Sequence, residues 1–396
     1  MKFGGLMLKV GVIGTGNISR AHIRGYLNLS QECVIVALCD IYPHKCEEKK
    51  QEFGLDQAQV YDSHHKLLAE AEVDLVSICT PPGTHAPIAI DALNAGVNVL
   101  GEKPMAPSLE ECDAMLAAEK ASGKTLSVVA QNRFRDDMAT LKAVVESGLL
   151  GRITHMQVNS AWWRGRAYYD LWWRGTWASE GGGCTLNHAV HHVDLTLWLA
   201  GRPQAVTAVL ANTAHDNSEV EDLSVAILEL DRGLAEITAS VVDHGEEQFI
   251  MIQGEKARVT QPWKTPIASV SQPNGFPTPG GDAELVAKLD QVAAAHAPLR
   301  YEGHEGQVAD VVTALNQGRR PAISGVDGRA AIELITAIYE SGNEHRTIQL
   351  PLTPDDLYYQ RGELPKLAHH FYEKENSVVD QGGFIIVEGS PDPAQR

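Results

Sequence analysis

Leu8-Lys9-Val10-Gly11-Val12-Ile13-Gly14-Thr15-Gly16-Asn17-Ile18-Ser19 reads as a short apolar strand, a glycine turn and, from Arg20, the start of a helix. A dinucleotide site requires those three elements in that order. Gly14 permits the tight turn. Gly16 lets a pyrophosphate approach the helix N-terminus, where unpaired N–H groups and the helix dipole favour anions. Asn17 and Ile18 carry the next backbone groups of that turn. Ser19 stands where the fingerprint has Gly or Ala, and is still small enough for close packing. The following strand, 34–39, delivers Asp40 to the same end, placed to accept from a ribose 2′-hydroxyl and to repel a 2′-phosphate. This predicts NAD rather than NADP. The other reading is an Asp that caps a turn before Pro43.

Helical stretches near 44–53, 64–71, 86–94 and 109–122 then alternate with strands near 59–61, 75–79, 97–100 and 125–130. That alternation predicts a doubly wound α/β domain with a parallel sheet over residues 1–135. The loop Thr80-Pro81-Pro82-Gly83-Thr84-His85 and the run Gly101-Glu102-Lys103-Pro104 fall at strand C-termini, the edge where ligands bind. Thr80, Pro81, His85, Glu102 and Lys103 are therefore candidate cofactor contacts. After a helix at 138–146 the grammar changes. Alternating segments at 153–163, 205–213, 223–230, 234–242, 249–253 and 257–260 predict a large, mostly antiparallel open sheet. Helices near 283–295, 304–317 and 325–341 and a strand over 344–350 complete an α+β domain at 136–350, leaving 351–396 as a C-terminal extension.

Two stretches of that second domain carry chemistry. One insert holds Trp162, Trp163, Trp172, Trp173 and Trp177 with Tyr168 and Tyr169, and Arg164, Arg166 and Arg174 among them. Aromatic faces stack on sugar rings and arginines bind ring substituents; core or subunit packing is the other reading. Gly181-Gly182-Gly183 then opens a helix whose apolar stripe is Leu186, Ala189, Val190, Val193 and Leu197. Asn187 and His191, four apart, face the same way, with Asp194 a step further on. Asp194 either orients His191 or serves as a structural partner. The plainer reading is an amphipathic helix with satisfied histidines. A metal set of His188, His191, His192 and Asp194 competes, but its i, i+4 pair joins His188 to His192 instead of using His191. No metal is expected.

The formal charge of −18, from 51 acidic and 33 basic residues, argues against nucleic acid and anionic membrane surfaces as partners. The cysteines at 33, 39, 46, 79, 112 and 184 form no CxxC pair and are expected as buried free thiols of a reducing cytosol. Met1–Met7 holds no signal-peptide apolar region, and no run reaches the ~18 apolar residues of a membrane span. A cytoplasmic location is expected.

Gly14-x-Gly16, Asp40, Thr80-Pro81, Glu102-Lys103-Pro104 and the 181–198 stretch, in this order, resemble the glucose–fructose oxidoreductase / inositol dehydrogenase family over roughly residues 8–350. The resemblance implies a nicotinamide-binding first domain and a second domain whose sheet serves homo-oligomer contacts, as a dimer or tetramer. It places the family's active-site lysine on Lys103, before a proline that is frequently cis, and its catalytic histidine on His191. Asn187 stands where many members carry Asp, and is assigned substrate orientation. Trp173-Arg174-Gly175-Thr176-Trp177, Asn187 and Glu219-Val220-Glu221-Asp222 look closer to the branch acting on sugars and nucleotide sugars at C3. Implied is hydride transfer between NAD and a secondary alcohol of a carbohydrate. Lys103, His191 and Asn187 would be catalytic, and Arg133, Trp173, Arg174 and His188 would join them against the substrate. His188 is the second candidate base. Two other functions stay open: glycoside cleavage through a transient keto-sugar on bound NAD, and non-catalytic dinucleotide sensing, against which Lys103 and His191 speak.

Overall fold

A computed structural model describes residues 7–378. The first half runs β1 (Leu8–Ile13), α1 (Ser19–Leu27), β2 (Cys33–Cys39), α2 (Pro43–Phe53), β3 (Gln59–Tyr61), α3 (His64–Glu70) and β4 (Leu75–Ile78). It continues through α4 (His85–Asn94), β5 (Asn98–Gly101), α5 (Leu109–Ser122) and β6 (Leu126–Val128). These strands form a parallel sheet in the order β3-β2-β1-β4-β5-β6. The strand order reverses between β1 and β4, and the crevice outside their C-terminal ends is the place where such sheets take ligands. Local chemistry sets the helix ends. Ser108 caps α5 by accepting from Glu111 N, and Gly123 stops it with a left-handed φ.

The second half holds α6 (Asp136–Glu146), β7 (Ile153–Ala161), α7 (Trp177–Glu180), α8 (Cys184–Asn187), α9 (Val190–Ala200), β8 (Ala205–Ala211) and β9 (Leu223–Leu230). After these come β10 (Gly233–Ser240), β11 (Gln248–Gly254), β12 (Arg258–Gln261), α10 (Ala283–Ala294), α11 (Gly303–Gln317), α12 (Gly325–Glu344), β13 (Ile348–Gln349) and α13 (Leu364–Leu367). Its sheet, β12-β11-β7-β10-β9-β8-β13, is antiparallel except where β7 pairs β10. Along β9, Ser224, Ala226 and Leu228 are buried while Val225 and Ile227 are exposed. A one-residue slip in register would exchange those two sets, so the burial pattern holds the pairing. Helices α9 and α12 pack on the inner face.

Three elements depart from the sequence expectation. Helix α12 continues to Glu344, where His345 at φ 52 stops it, so the strand expected over 344–350 shrinks to two-residue β13. The stretch 181–198 is not one helix: α8 is a single turn, and the chain breaks at His188 and Ala189 before α9. The Glu221 carboxylate accepts from Gly183 N at 3.1 Å and Thr185 N at 3.0 Å, which sets the direction of α8 independently of α9. Helix α11, expected within the second domain, lies on α1 of the first. Its Val308, Val311 and Val312 share a core with Val10, Ile23 and Tyr26. A Cβ on Gly25 would come within 2.9 Å of Val308 Cβ.

The chain after Leu350 folds back over the aromatic insert. Trp177 Nε1 donates to His369 O at 3.1 Å, Asn217 Oδ1 accepts from the backbone N–H of Glu375 and Asn376, and Val378 bridges Leu171. The remainder of the expected extension, 379–396, lies outside the described residues, as do residues 1–6. All six cysteines are buried free thiols. Among the described residues no helix is long and apolar enough to cross a membrane.

Candidate active site

The turn after β1 is shaped by steric exclusion on one side and open space on the other. Gly14 has φ +88, and a Cβ there would lie 2.7 Å from the Cys79 carbonyl, so only glycine fits. A Cβ at Gly16 would meet nothing within 4 Å. Gly16, Asn17 and Ile18 are exposed ahead of α1, forming a cradle open to an anion. Ser19 is buried and its Oγ donates to Gly16 O at 2.6 Å, so the departure from Gly or Ala braces the turn. Asp40 closes the far side. Its Oδ2 accepts from Thr15 N at 2.8 Å and Thr15 Oγ1 at 3.0 Å, and its Oδ1 accepts from Tyr42 N at 3.0 Å. The residues present fit a dinucleotide: Gly14, Gly16, Asn17 and Ile18 would hold the pyrophosphate and Asp40 a ribose, with Thr80 and Pro81 on the adjacent loop.

Two residues expected against the cofactor are occupied elsewhere. His85 is buried between two carbonyls, its Nδ1 2.8 Å from Pro104 O and its Nε2 2.7 Å from Thr80 O. It is a strut joining two loops, and burial lowers its pKa. Glu102 places Oε1 2.9 Å from His22 Nε2 and 3.2 Å from His304 Nε2, while Oε2 accepts from Lys103 N at 3.1 Å. Burial alone would raise this carboxyl, but the two histidines hold it well below the usual range. His22 continues to Ser77, and Ser77 to Tyr26. Sequence reading missed His22 and His304, which sit on α1 and α11, helices remote in the chain that the fold brings together.

Lys103, before a cis Pro104, and His191 line one small cavity with Met105, Ala130, Val190 and Asp194. Burial lowers the Lys103 pKa, opposed by Glu102 and assisted by Arg174. Burial, then the neighbouring Lys103, drives His191 well below 6.5, and Gln131 Nε2 stands 3.5 Å from its Nε2. Asp194 does not orient His191. It takes Arg133 in a bidentate pair, Nε at 2.8 Å and Nη2 at 2.6 Å, while Arg133 Nη1 reaches Asp327 at 3.1 Å. Arg133, expected against the substrate, is thus held by two carboxylates. Asn187 Nδ2 donates to Gly182 O at 2.7 Å and Gly183 O at 3.3 Å, so its amide nitrogen closes the glycine turn.

The insert brings charge to this site, its Arg174 helping to lower the Lys103 pKa. Arg174 stacks on Trp173 at 3.9 Å and on Tyr168 at 4.2 Å, and its Nη1 pairs with Glu180. His188 sits between Trp162 and Tyr168, at ring separations of 6.1 and 6.0 Å. Burial and then Arg164, Arg174 and Lys103 push its pKa down to about 3. Trp177, by contrast, is core, edge-on to Tyr339. Among the described residues, the two sets of metal-type ligand atoms within 4.8 Å of one another are His22–Glu102–His304 and His64–His65–Asp91, and the histidines of α9 belong to neither.

Comparison with known proteins agrees with this geometry. Residues 8–130 match the profile described as oxidoreductase family, NAD-binding Rossmann fold, and residues 138–260 match the GFO/IDH/MocA C-terminal domain. The myo-inositol 2-dehydrogenase of Thermotoga maritima is 24% identical over 87% of this chain and 98% of its own. The inositol 2-dehydrogenase of Paracoccus denitrificans is 27% identical over 88% and 99%. The WlbA dehydrogenase of Bordetella pertussis, solved in complex with NADH and UDP-GlcNAcA, superposes with a TM-score of 0.75 at 30% identity, covering 88% of this chain and 98% of that one. Matched over 8–130 and 138–260, more than half of its length, the chain belongs to the GFO/IDH/MocA oxidoreductases, a family of NAD-binding sugar and polyol dehydrogenases.

Proposed function

We propose that the protein oxidises a secondary alcohol of a sugar or glycoside, at C3 of a pyranose, with Lys103, His191 and Asn187 as the working residues. The observation that carries this reading is the shared cavity of Lys103 and His191 at the C-terminal ends of β5 and β6. NAD, when bound, accepts the hydride. The remaining work falls to the chain. Lys103 presents its ammonium to the oxygen that becomes negative as its proton is taken, an interaction that stabilises the alkoxide-like transition state. His191, neutral at pH 7 because of its burial, takes the hydroxyl proton and later releases it to solvent. The alcohol thus loses one hydride and one proton and becomes a ketone. Asn187 holds the turn from which α8 starts, and its amide oxygen side serves substrate orientation. Support for a sugar comes from the insert around Trp173 and Arg174, and from the likeness to the WlbA dehydrogenase in complex with UDP-GlcNAcA, while C3 rests on the resemblance of the 173–177 and 219–222 runs and Asn187 to the branch acting there. The outer face of the second sheet, with Val209, Val225, Ile227 and Leu234 exposed, supports self-association there.

A screen of NADH release over free hexoses, glycosides, inositols and nucleotide sugars tests the reading. His191→Ala should lower kcat by about 10²–10⁴, the usual span for acid–base catalysis, with NAD affinity unchanged. Undiminished kcat in that variant would refute the assignment and move the base to His188. The kcat/KM for NAD should exceed that for NADP; equality would remove Asp40 from ribose recognition.

A further inference from the structure

We infer that the substrate carries an oxyanion, a carboxylate or a phosphate, which docks on the insert against Arg174, Trp173 and Trp162. The inference rests on the dehydrogenase reading above and narrows its substrate class. Its basis is an imbalance of donors and acceptors. Trp162 Nε1, Trp173 Nε1 and Arg174 Nε are buried and have no hydrogen-bond partner, as does His188 Nδ1. Indole and guanidinium nitrogens can only donate. Such groups are seldom left buried and unpaired, because each forfeits its hydrogen bonds to water without replacement.

These donors belong to one contiguous surface. Trp162 neighbours His188, His188 neighbours Tyr168, Tyr168 lies under Arg174, and Arg174 lies over Trp173. Arg164 faces Trp162 and Tyr168 from the other side, at 5.4 and 5.7 Å. The acids nearby are already spoken for: Glu180 on Arg174 Nη1 and Gly175 N, and Glu246 on Arg164 and Trp163 N. A polyhydroxy ring without a charge brings as many donors as acceptors, whereas the unpaired acceptors beside this surface are Gln248 Oε1, whose Nε2 donates to Ala161 O, and Gln131 Oε1 near His191, fewer than the donor-only nitrogens of Trp162, Trp173 and Arg174. An oxyanion brings lone pairs and no donor. Arg174 has committed Nη1, which leaves its Nε edge for a planar two-oxygen acceptor in the fork geometry that guanidinium favours.

The experiment is a binding titration of the NADH-loaded enzyme, read by tryptophan fluorescence, with D-glucuronate, D-glucose and D-glucose 6-phosphate. The acid sugar should bind at least ~10-fold more tightly than glucose, as one charge-assisted hydrogen bond allows. The gain should vanish in the double variant Arg174→Gln/Glu180→Gln, which removes the buried pair together and leaves no unpaired Glu180. A gain confined to glucose 6-phosphate identifies the oxyanion as phosphate, and a gain confined to glucuronate as carboxylate. If neither acid binds more tightly than glucose, or if the double variant keeps the preference, the inference is wrong. NADH formation from the same sugars is followed in parallel. A tightly bound acid that yields no NADH counts against the dehydrogenase assignment and leaves the oxyanion subsite standing.

Discussion

Lys103 and His191 are displaced in the same direction by the same cause, since burial disfavours the charged form of each. The consequence for rate follows from the form each must hold. His191 acts as a base when neutral, and its pKa lies well below 6.5, so lowering the pH to about 6 should not slow the oxidation as it would with a free imidazole. Lys103 acts when charged, and its pKa is below 10.5, so the alkaline side should fall earlier than for an exposed lysine. In a kcat–pH profile, Lys103→Arg should carry the alkaline limb upward, whatever activity remains. An acid limb centred near 6.5 would show that His191 is not buried as described. Asn187 makes a sharper case. Its Nδ2 donates to two carbonyls of the glycine turn, a task the carboxylate of Asn187→Asp cannot perform. That variant should lose about 1–3 kcal/mol of stability, the cost of an unmade buried hydrogen bond, together with kcat. Full activity and an unshifted Tm would mean that the Asp of other family members works here equally well.

At the scale of elements, the aromatic insert is held from outside by the returning chain. His369 accepts from Trp177, Asn217 ties Glu375 and Asn376, and the Lys374 ammonium donates to Tyr169 O. Ending the chain at Leu350 would leave Trp177 Nε1 without its acceptor and uncover the packing around Tyr169. The truncated protein should bind NAD as before and show a raised KM for its sugar with a lower Tm. Sugar kinetics unchanged by the truncation would separate the tail from the insert's function. Sequence patterning located nearly every strand and helix here because each has one buried face of the right period: β1, β9 and α5 fall within a residue or none of their reading. It missed the break between α8 and α9, because apolar spacing at Leu186, Ala189, Val190 and Val193 continues across it. The start of α8 is held by Glu221, a carboxylate remote in sequence, and no local pattern announces a partner that far away.

Across the whole molecule, the same limit separates what was legible from what was not. Lys103 and His191 could be named from motifs, whereas the pairing of Arg133 with Asp194 and Asp327, and of Glu102 with His22 and His304, depends on how remote segments meet. The open face of the second sheet is a further whole-molecule property. Ile227→Glu, on that exposed face, should lower the mass measured by light scattering while leaving the fold intact. An unchanged mass would place self-association elsewhere. Helix α11 has the widest reach. It is encoded after β12 of the second sheet, yet its valines complete the apolar layer over Val10, Ile23 and Tyr26. The cofactor half is therefore not a transferable module bounded by a single crossover. A chimaera grafting only residues 1–135 onto a relative would inherit a foreign lid for that layer and should express as aggregate. A chimaera that also carries 303–317 needs three crossovers, and should be recovered soluble with NAD affinity intact.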